Sequence, residues 1–235
     1  MKVVNEAADA DATTLRISMD AKAMVKVGPF SRGGKSRVEV KAADHDFSEK
    51  NAPQVTPVGI FLPKLDELFL YAVTSKVTSD CLADRLVEFW EGEKDRFSQV
   101  TTLVLNLDNG PENQSHRTQF MQRMVDFSSQ YHLTIRLAYY PPYHSKYNPI
   151  ERCWGILEGH WNSSLLDSLD AVLEYAKTML WKGRHPVVKL VTTLYETGVT
   201  LTKKAMKELE TQFKRLPLLD KWFVDIVPPT TSKLG

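Results

Sequence analysis

Between residues 68 and 161 the sequence alternates short apolar runs with long amphipathic ones, a pattern that restricts the chain to an α/β layer architecture. Leu68-Phe69-Leu70-Tyr71-Ala72-Val73 is a buried strand by its length and apolar continuity. From Thr78 the period turns helical. Ser79 is placed to cap, Leu82, Leu86, Phe89 and Trp90 recur at three- and four-residue spacing, and Gly92 marks the end. Residues 102–107 form the next strand, stopped by Asp108-Asn109-Gly110-Pro111, and a helix over about 115–131 carries Phe120, Met124 and Phe127 on one face. A further strand over 134–140 ends at Pro141-Pro142. Asn148-Pro149 then opens a helix running through about Trp161, with Asn as N-cap and Pro at the first helical position.

Upstream, Leu15-Arg16-Ile17-Ser18-Met19 alternates apolar and polar residues and reads as a strand running into Asp20. Met24 to Val27 continues extended, Gly28-Pro29 and Gly33-Gly34 break the chain, and residues 37–40 can return as a paired strand. Residues 43–57 read as a polar loop with prolines. Downstream, Leu165, Leu169, Val172, Leu173, Ala176 and Leu180 make one amphipathic helix. Residues 200–216 make another, with Met206, Leu209 and Phe213 inward, and the tail after Val227 is frayed. The expected organisation is a flexible segment over 1–12, a mixed-sheet α/β domain over 13–162 and a helical C-terminal extension over 163–235.

Composition excludes several classes. Two cysteines, Cys81 and Cys153, support neither a disulfide framework nor a four-ligand zinc site. No run approaches the roughly 18 apolar residues of a membrane span, and the polar N-terminus lacks the apolar core of a secretory signal. A cytoplasmic location without membrane attachment is the expectation. The net charge of +1 is uninformative. Residues 22–41, however, set Lys22, Lys26, Arg32, Lys35, Arg37 and Lys41 against the single acid Glu39. That patch suits a phosphate backbone, or a solvated hairpin whose lysines guard an edge.

Three carboxylates lie on separate elements: Asp20 ending one strand, Asp108 ending another, Glu151 one turn into a helix. Such a set can hold two divalent ions for phosphoryl transfer. Each also has a local explanation. Asp-Asn-Gly is a strong turn sequence, and an Asp closing a strand is commonplace. With Asn148 as N-cap, Glu151 falls where a capping-box Glu bonds back to the cap. A cap, however, does not need the Tyr-Tyr-Pro-Pro-Tyr-His-Ser-Lys-Tyr segment that precedes Asn148.

That segment carries a resemblance. Tyr140-Pro141-Pro142-Tyr143-His144-Ser145-Lys146-Tyr147-Asn148-Pro149-Ile150-Glu151-Arg152-Cys153-Trp154 resembles the third-carboxylate motif of mariner-like DDE transposases. Leu105 to Gly110 is similar to their second-carboxylate strand and Ile17-Ser18-Met19-Asp20 to their first. Gly28-Pro29-Phe30 with Gly33-Gly34, the Asp44-His45-Asp46-Phe47 loop and Ser145-Lys146 resemble the Rhodopirellula-type branch. The resemblance implies a ribonuclease H-like mixed sheet flanked by helices, and metal-dependent DNA cleavage with joining of a 3′ hydroxyl to target DNA during transposition of an insertion sequence. It implies Mg²⁺ (or Mn²⁺) as two ions, with Asp20 bridging, Asp108 on one ion and Glu151 on the other. Mutual repulsion should raise the pKa values of such a cluster without metal.

Lys22, Arg32, Lys35, His144, Lys146 and Arg152 are the candidate DNA contacts, and transposon ends, target DNA and a second copy in a homodimeric synapse are the implied partners. Asn109 and Asn148 are turn and cap residues or supports of the carboxylates. Trp154 and Trp161 read as core, and His45 and Asp46 as residues that approach the site. Two departures stand out. Only 19 residues precede Asp20, where the family carries helix-turn-helix domains, so a catalytic fragment or a truncated frame is expected. Also, 42 residues separate Asp108 from Glu151, a longer gap than typical mariner relatives show and one the Rhodopirellula-type branch tolerates. The competing expectations are a domesticated or truncated remnant that binds DNA or a partner without catalysis, and a different nuclease on the same fold, for which Glu158 is the candidate fourth carboxylate.

Overall fold

Period-two alternation in the first strand sets the layering. The computed structural model describes residues 1–30, 52–141, 147–162 and 164–229. Among these, strand β1 (Thr14–Ala21) sends Leu15, Ile17 and Met19 into one core, leaving Arg16, Ser18 and Asp20 for the opposite face. That core is closed by helices α2 (Ser79–Glu93) and α3 (Thr118–Tyr131), through Leu82, Leu86, Phe89, Phe120 and Met124. On the other face a second core joins helices α4 (Ile150–Trp161) and α5 (Leu169–Thr178) to the sheet.

The remaining strands are β2 (Val25–Lys26), β3 (Gln54–Leu62), β4 (Glu67–Val73), β5 (Thr102–Leu107), β6 (Thr134–Tyr139), β7 (Val187–Val191), β8 (Phe213–Arg215) and β9 (Phe223–Ile226). They join in the order β7-β4-β3-β1-β5-β6-β9-β8, with β2 attached to β3. β1, β5 and β6 run parallel, as expected of strands linked through helices, while β3 pairs antiparallel with both β1 and β4. Two further helices, α1 (Lys2–Ala10) and α6 (Lys203–Leu209), complete the described elements. Among the described residues no helix is long and apolar enough to cross a membrane.

Four sequence expectations are corrected. Residues 2–10, expected to be flexible, form α1; Ala8 packs with Val104 and Ala138, and Arg16 reaches Asp9 at 2.6 Å. The proline-containing stretch expected as loop up to residue 57 becomes strand from Gln54. Pro57 is tolerated because β1 ends opposite Val58, so its missing N–H falls beyond the β1 ladder, while its carbonyl accepts from Lys22 N–H at 2.8 Å. The C-terminal extension is helical only in part. β7 adds parallel to β4, β9 adds antiparallel to β6, and the helix expected over 200–216 stops at Leu209 before Phe213–Arg215 becomes β8. A two-pronged Arg136–Asp225 pair, both bonds 2.7 Å, sits on register partners of β6 and β9. Finally, Thr78 rather than Ser79 caps α2, accepting from Cys81 N–H, and Gly92 lies inside that helix. The return strand expected over residues 37–40 lies outside the described residues.

Candidate active site

Parallel pairing puts two carboxylates side by side. Ser18 on β1 is the register partner of Asn106 on β5, and two residues further along come Asp20, still on β1, and Asp108, the first residue past β5. Both stand at the carboxyl ends of their strands, where open α/β sheets present ligand-binding groups. Asp20 is 7% exposed, whereas Asp108 and Glu151, the latter in the first turn of α4, are half-buried. The three feel one another. Burial, then the charge of Asp108, then that of Glu151 push the Asp20 carboxyl up to about 7, against a hydrogen bond from Trp154. Burial and Asp108 raise Glu151 as well, opposed by the nearby Lys22.

Neighbouring groups fix the two aspartates. Trp154 Nε1 donates to Asp20 Oδ2 at 2.7 Å. Asp108 Oδ1 accepts from Gly110 N–H at 3.0 Å and from Asn113 Nδ2 at 2.9 Å, and Tyr139 Oη holds the Asn113 carbonyl at 2.8 Å. Asn109 takes a left-handed φ of 63° in this turn. The Asp-Asn-Gly turn and the presentation of Asp108 are therefore one structure.

The start of α4 departs from the sequence expectation. Asn148 makes no cap and Glu151 forms no capping box; the N-cap is Pro149, without a side-chain bond. Ser18 on β1 caps the helix from outside, its Oγ accepting from Ile150 N–H at 3.1 Å and donating to Asn148 Oδ1 at 2.5 Å. Asn148 is fully buried, so its side chain is spent on β1. Glu151 is left without a capping role.

Of the candidate DNA contacts, Lys22 lies beside the cluster and pairs with Glu158 at 2.7 Å. Glu158, the candidate fourth carboxylate, is thus held by Lys22. Arg152 is exposed next to Glu151. Arg32, Lys35, His144 and Lys146, with His45 and Asp46, lie outside the described residues. Trp161 is core, as expected, and Trp154 is core on one edge and a hydrogen-bond donor on the other. Sequence reasoning missed Ser18, Asn113 and Gly59. Ser18 carried one readable sign, a small hydroxyl two residues before Asp20 on the same face.

Whether divalent ions suit this set can be judged from the donors. Among the described residues no three His, Cys, Asp or Glu side chains form a ready-made single-ion site. A two-ion arrangement shares carboxylates pairwise and leaves other positions to substrate oxygens, so it does not require such a triple. Hard carboxylate oxygens match Mg²⁺, and among the described residues no ion pair offsets Asp20 or Asp108. The donors fit.

The sequence profile of the Rhodopirellula transposase DDE domain matches residues 1–228. The chain belongs to that family. No curated protein matches it. Among solved structures, the Mos1 transposase paired-end complex with left transposon end is similar to this DDE domain with a TM-score of 0.51 at 10% identity, covering 74% of this chain and 50% of that one. The Mos1 strand transfer complex gives 0.50 at 10%, covering 74% and 49%. The Mos1 mariner paired-end complex with Mn gives 0.50 at 8%, covering 74% and 50%. The DDE domain spans about half the length of those transposase chains. At such identity the likeness is one of fold, and it bears out the expected ribonuclease H-like mixed sheet.

Proposed function

We propose that this DDE domain cleaves DNA at transposon ends and transfers the freed 3′ hydroxyl to target DNA, in a divalent-metal-dependent reaction carried by Asp20, Asp108 and Glu151. The observation that carries the reading is the placement of carboxylates from three separate elements at one edge of the sheet: Asp20 and Asp108 at the carboxyl ends of paired β1 and β5, and Glu151 in the first turn of α4, which Trp154 bonds to Asp20. Perturbed acids held in one place by a rigid scaffold mark functional sites. Asp20, Asp108 and Glu151 would hold two Mg²⁺ or Mn²⁺ ions, which when bound supply Lewis-acid stabilisation of charge developing at the phosphate. Asp20, the most buried of the three, would be the donor shared by the two ions, and cation binding would favour its ionised form. Asp108 is oriented by Gly110 and Asn113, and Glu151 by the start of α4. Exposed Arg152, next to Glu151, would meet a DNA phosphate, while Lys22 is shared with Glu158. A second copy of the chain, synapsing two transposon ends, belongs to the same proposal.

The test is Mg²⁺- or Mn²⁺-dependent nicking of DNA carrying the transposon's own ends, by the wild-type protein and by Glu151→Gln. Nicking by wild type that disappears with Glu151→Gln is the expected result. Equal nicking by both proteins removes Glu151 from the chemistry.

A further inference from the structure

We infer that Trp154 is a positioning residue, which sets the carboxylate of Asp20 and the helix bearing Glu151 in one register for divalent-cation binding; the inference rests on the metal reading above. Trp154 lies one turn after Glu151 on α4, so the two side chains share a helix face. Its indole N–H donates to Asp20 Oδ2 at 2.7 Å while the ring is buried, 5% exposed, against the sheet. The sheet is cut to receive it. Gly59 on β3 is the register partner of Asp20, and a Cβ there would lie 2.5 Å from Trp154 Cη2 and 2.6 Å from Ile150 Cδ1. The absent side chain opposite Asp20 is therefore the space into which the indole fits.

The choice of donor matters. An N–H bonded to a carboxylate fixes its orientation through a charge-assisted bond. A neutral indole does so without a positive charge, whereas Lys or Arg at the same point would offset the charge that a cation must find. Trp154 thus orients one oxygen of Asp20 without placing a competing cation beside it. Through its own helix it also ties that orientation to the position of Glu151. A merely space-filling tryptophan would need no N–H directed at a carboxylate.

The experiment replaces Trp154 with β-(3-benzothienyl)alanine, a bicyclic isostere lacking the N–H, and separately with Phe. Mn²⁺ affinity is read by electron paramagnetic resonance of free Mn²⁺, beside wild type and Asp20→Asn, together with the metal-free Tm of each. The expected result is a loss of about 10- to 100-fold in Mn²⁺ affinity for the isostere, with a Tm near wild type, and a loss at least as large for Asp20→Asn. The isostere keeps the shape, so the test stands even if Trp154→Phe fails to fold. Should the isostere bind Mn²⁺ as wild type does while Asp20→Asn is weakened, Trp154 is core alone and only this inference falls. Should Asp20→Asn bind as tightly as wild type, or wild type not bind Mn²⁺, the metal reading falls with it.

Discussion

Replacing Asp20 with Asn should stabilise the metal-free protein at neutral to alkaline pH, although it removes a residue proposed to be essential. Burial and two neighbouring carboxylates raise Asp20 from 3.8 to about 7, a change of about three pH units, each worth about 1.4 kcal/mol. The folded state therefore favours the protonated form. That stabilisation is fully present below about pH 4, is lost as pH rises through about 7, and leaves the ionised group costing the fold up to roughly 4 kcal/mol above that. The substituted amide would keep the shape of the carboxyl group, and its oxygen can accept the Trp154 N–H. The neighbouring charges relax once Asp20 is neutral, so the expected gain at pH 8 is about 2–4 kcal/mol. Urea unfolding in EDTA at pH 8 and pH 4 measures it, from the midpoint at constant m. The variant should exceed wild type at pH 8 and match it near pH 4. With saturating Mg²⁺ the order should narrow or invert, since only wild type gains the full binding free energy. Equal or lower stability of Asp20→Asn at pH 8 without metal would refute the electrostatic account of this cluster.

Ser18→Ala leaves Ile150 N–H and Asn148 Oδ1 unpaired in a buried site, each costing about 1–3 kcal/mol, so a loss of roughly 2–6 kcal/mol is expected; an unmoved urea midpoint would mean that α4 is capped by something else. Glu151→Ala should change stability by less than about 0.5 kcal/mol, or raise it, because no capping bond is lost and a repelling charge is removed; a loss of about 1 kcal/mol or more in the same assay would restore the capping box. Arg16→Met removes the bonds to Asp9 at 2.6 and 2.8 Å and to Asn106 at 3.3 Å. Amide hydrogen exchange over residues 2–10 should then accelerate while β1 and β5 stay protected, and unchanged protection would show that α1 docks by its apolar face alone.

Elements whose side chains repeat on a local period were legible in sequence. β1 alternates, β4 to β6 are apolar runs, and α2 to α4 carry three- and four-residue spacing, so their types and order needed no tertiary information. β3 was obscured by Pro57, whose ladder position only the end of β1 makes acceptable. β8 and β9, three and four residues long, carry too few positions for any period and exist by pairing with strands already in place.

The candidate site divides in the same way. Asp20, Asp108 and Glu151 could be named from their positions at strand and helix ends and from the Pro-Pro-Tyr lead-in, because carboxylate chemistry and element boundaries are properties of the sequence. Ser18 capping a helix more than a hundred residues away, Trp154 turning its N–H to Asp20, and Gly59 clearing room for the ring were decided only on folding. Asn148 and Glu151 satisfy every local rule for a helix cap, yet β1 supplies the bond. A helix end accepts whichever partner lies nearest, and in a buried sheet–helix contact that partner comes from across the fold.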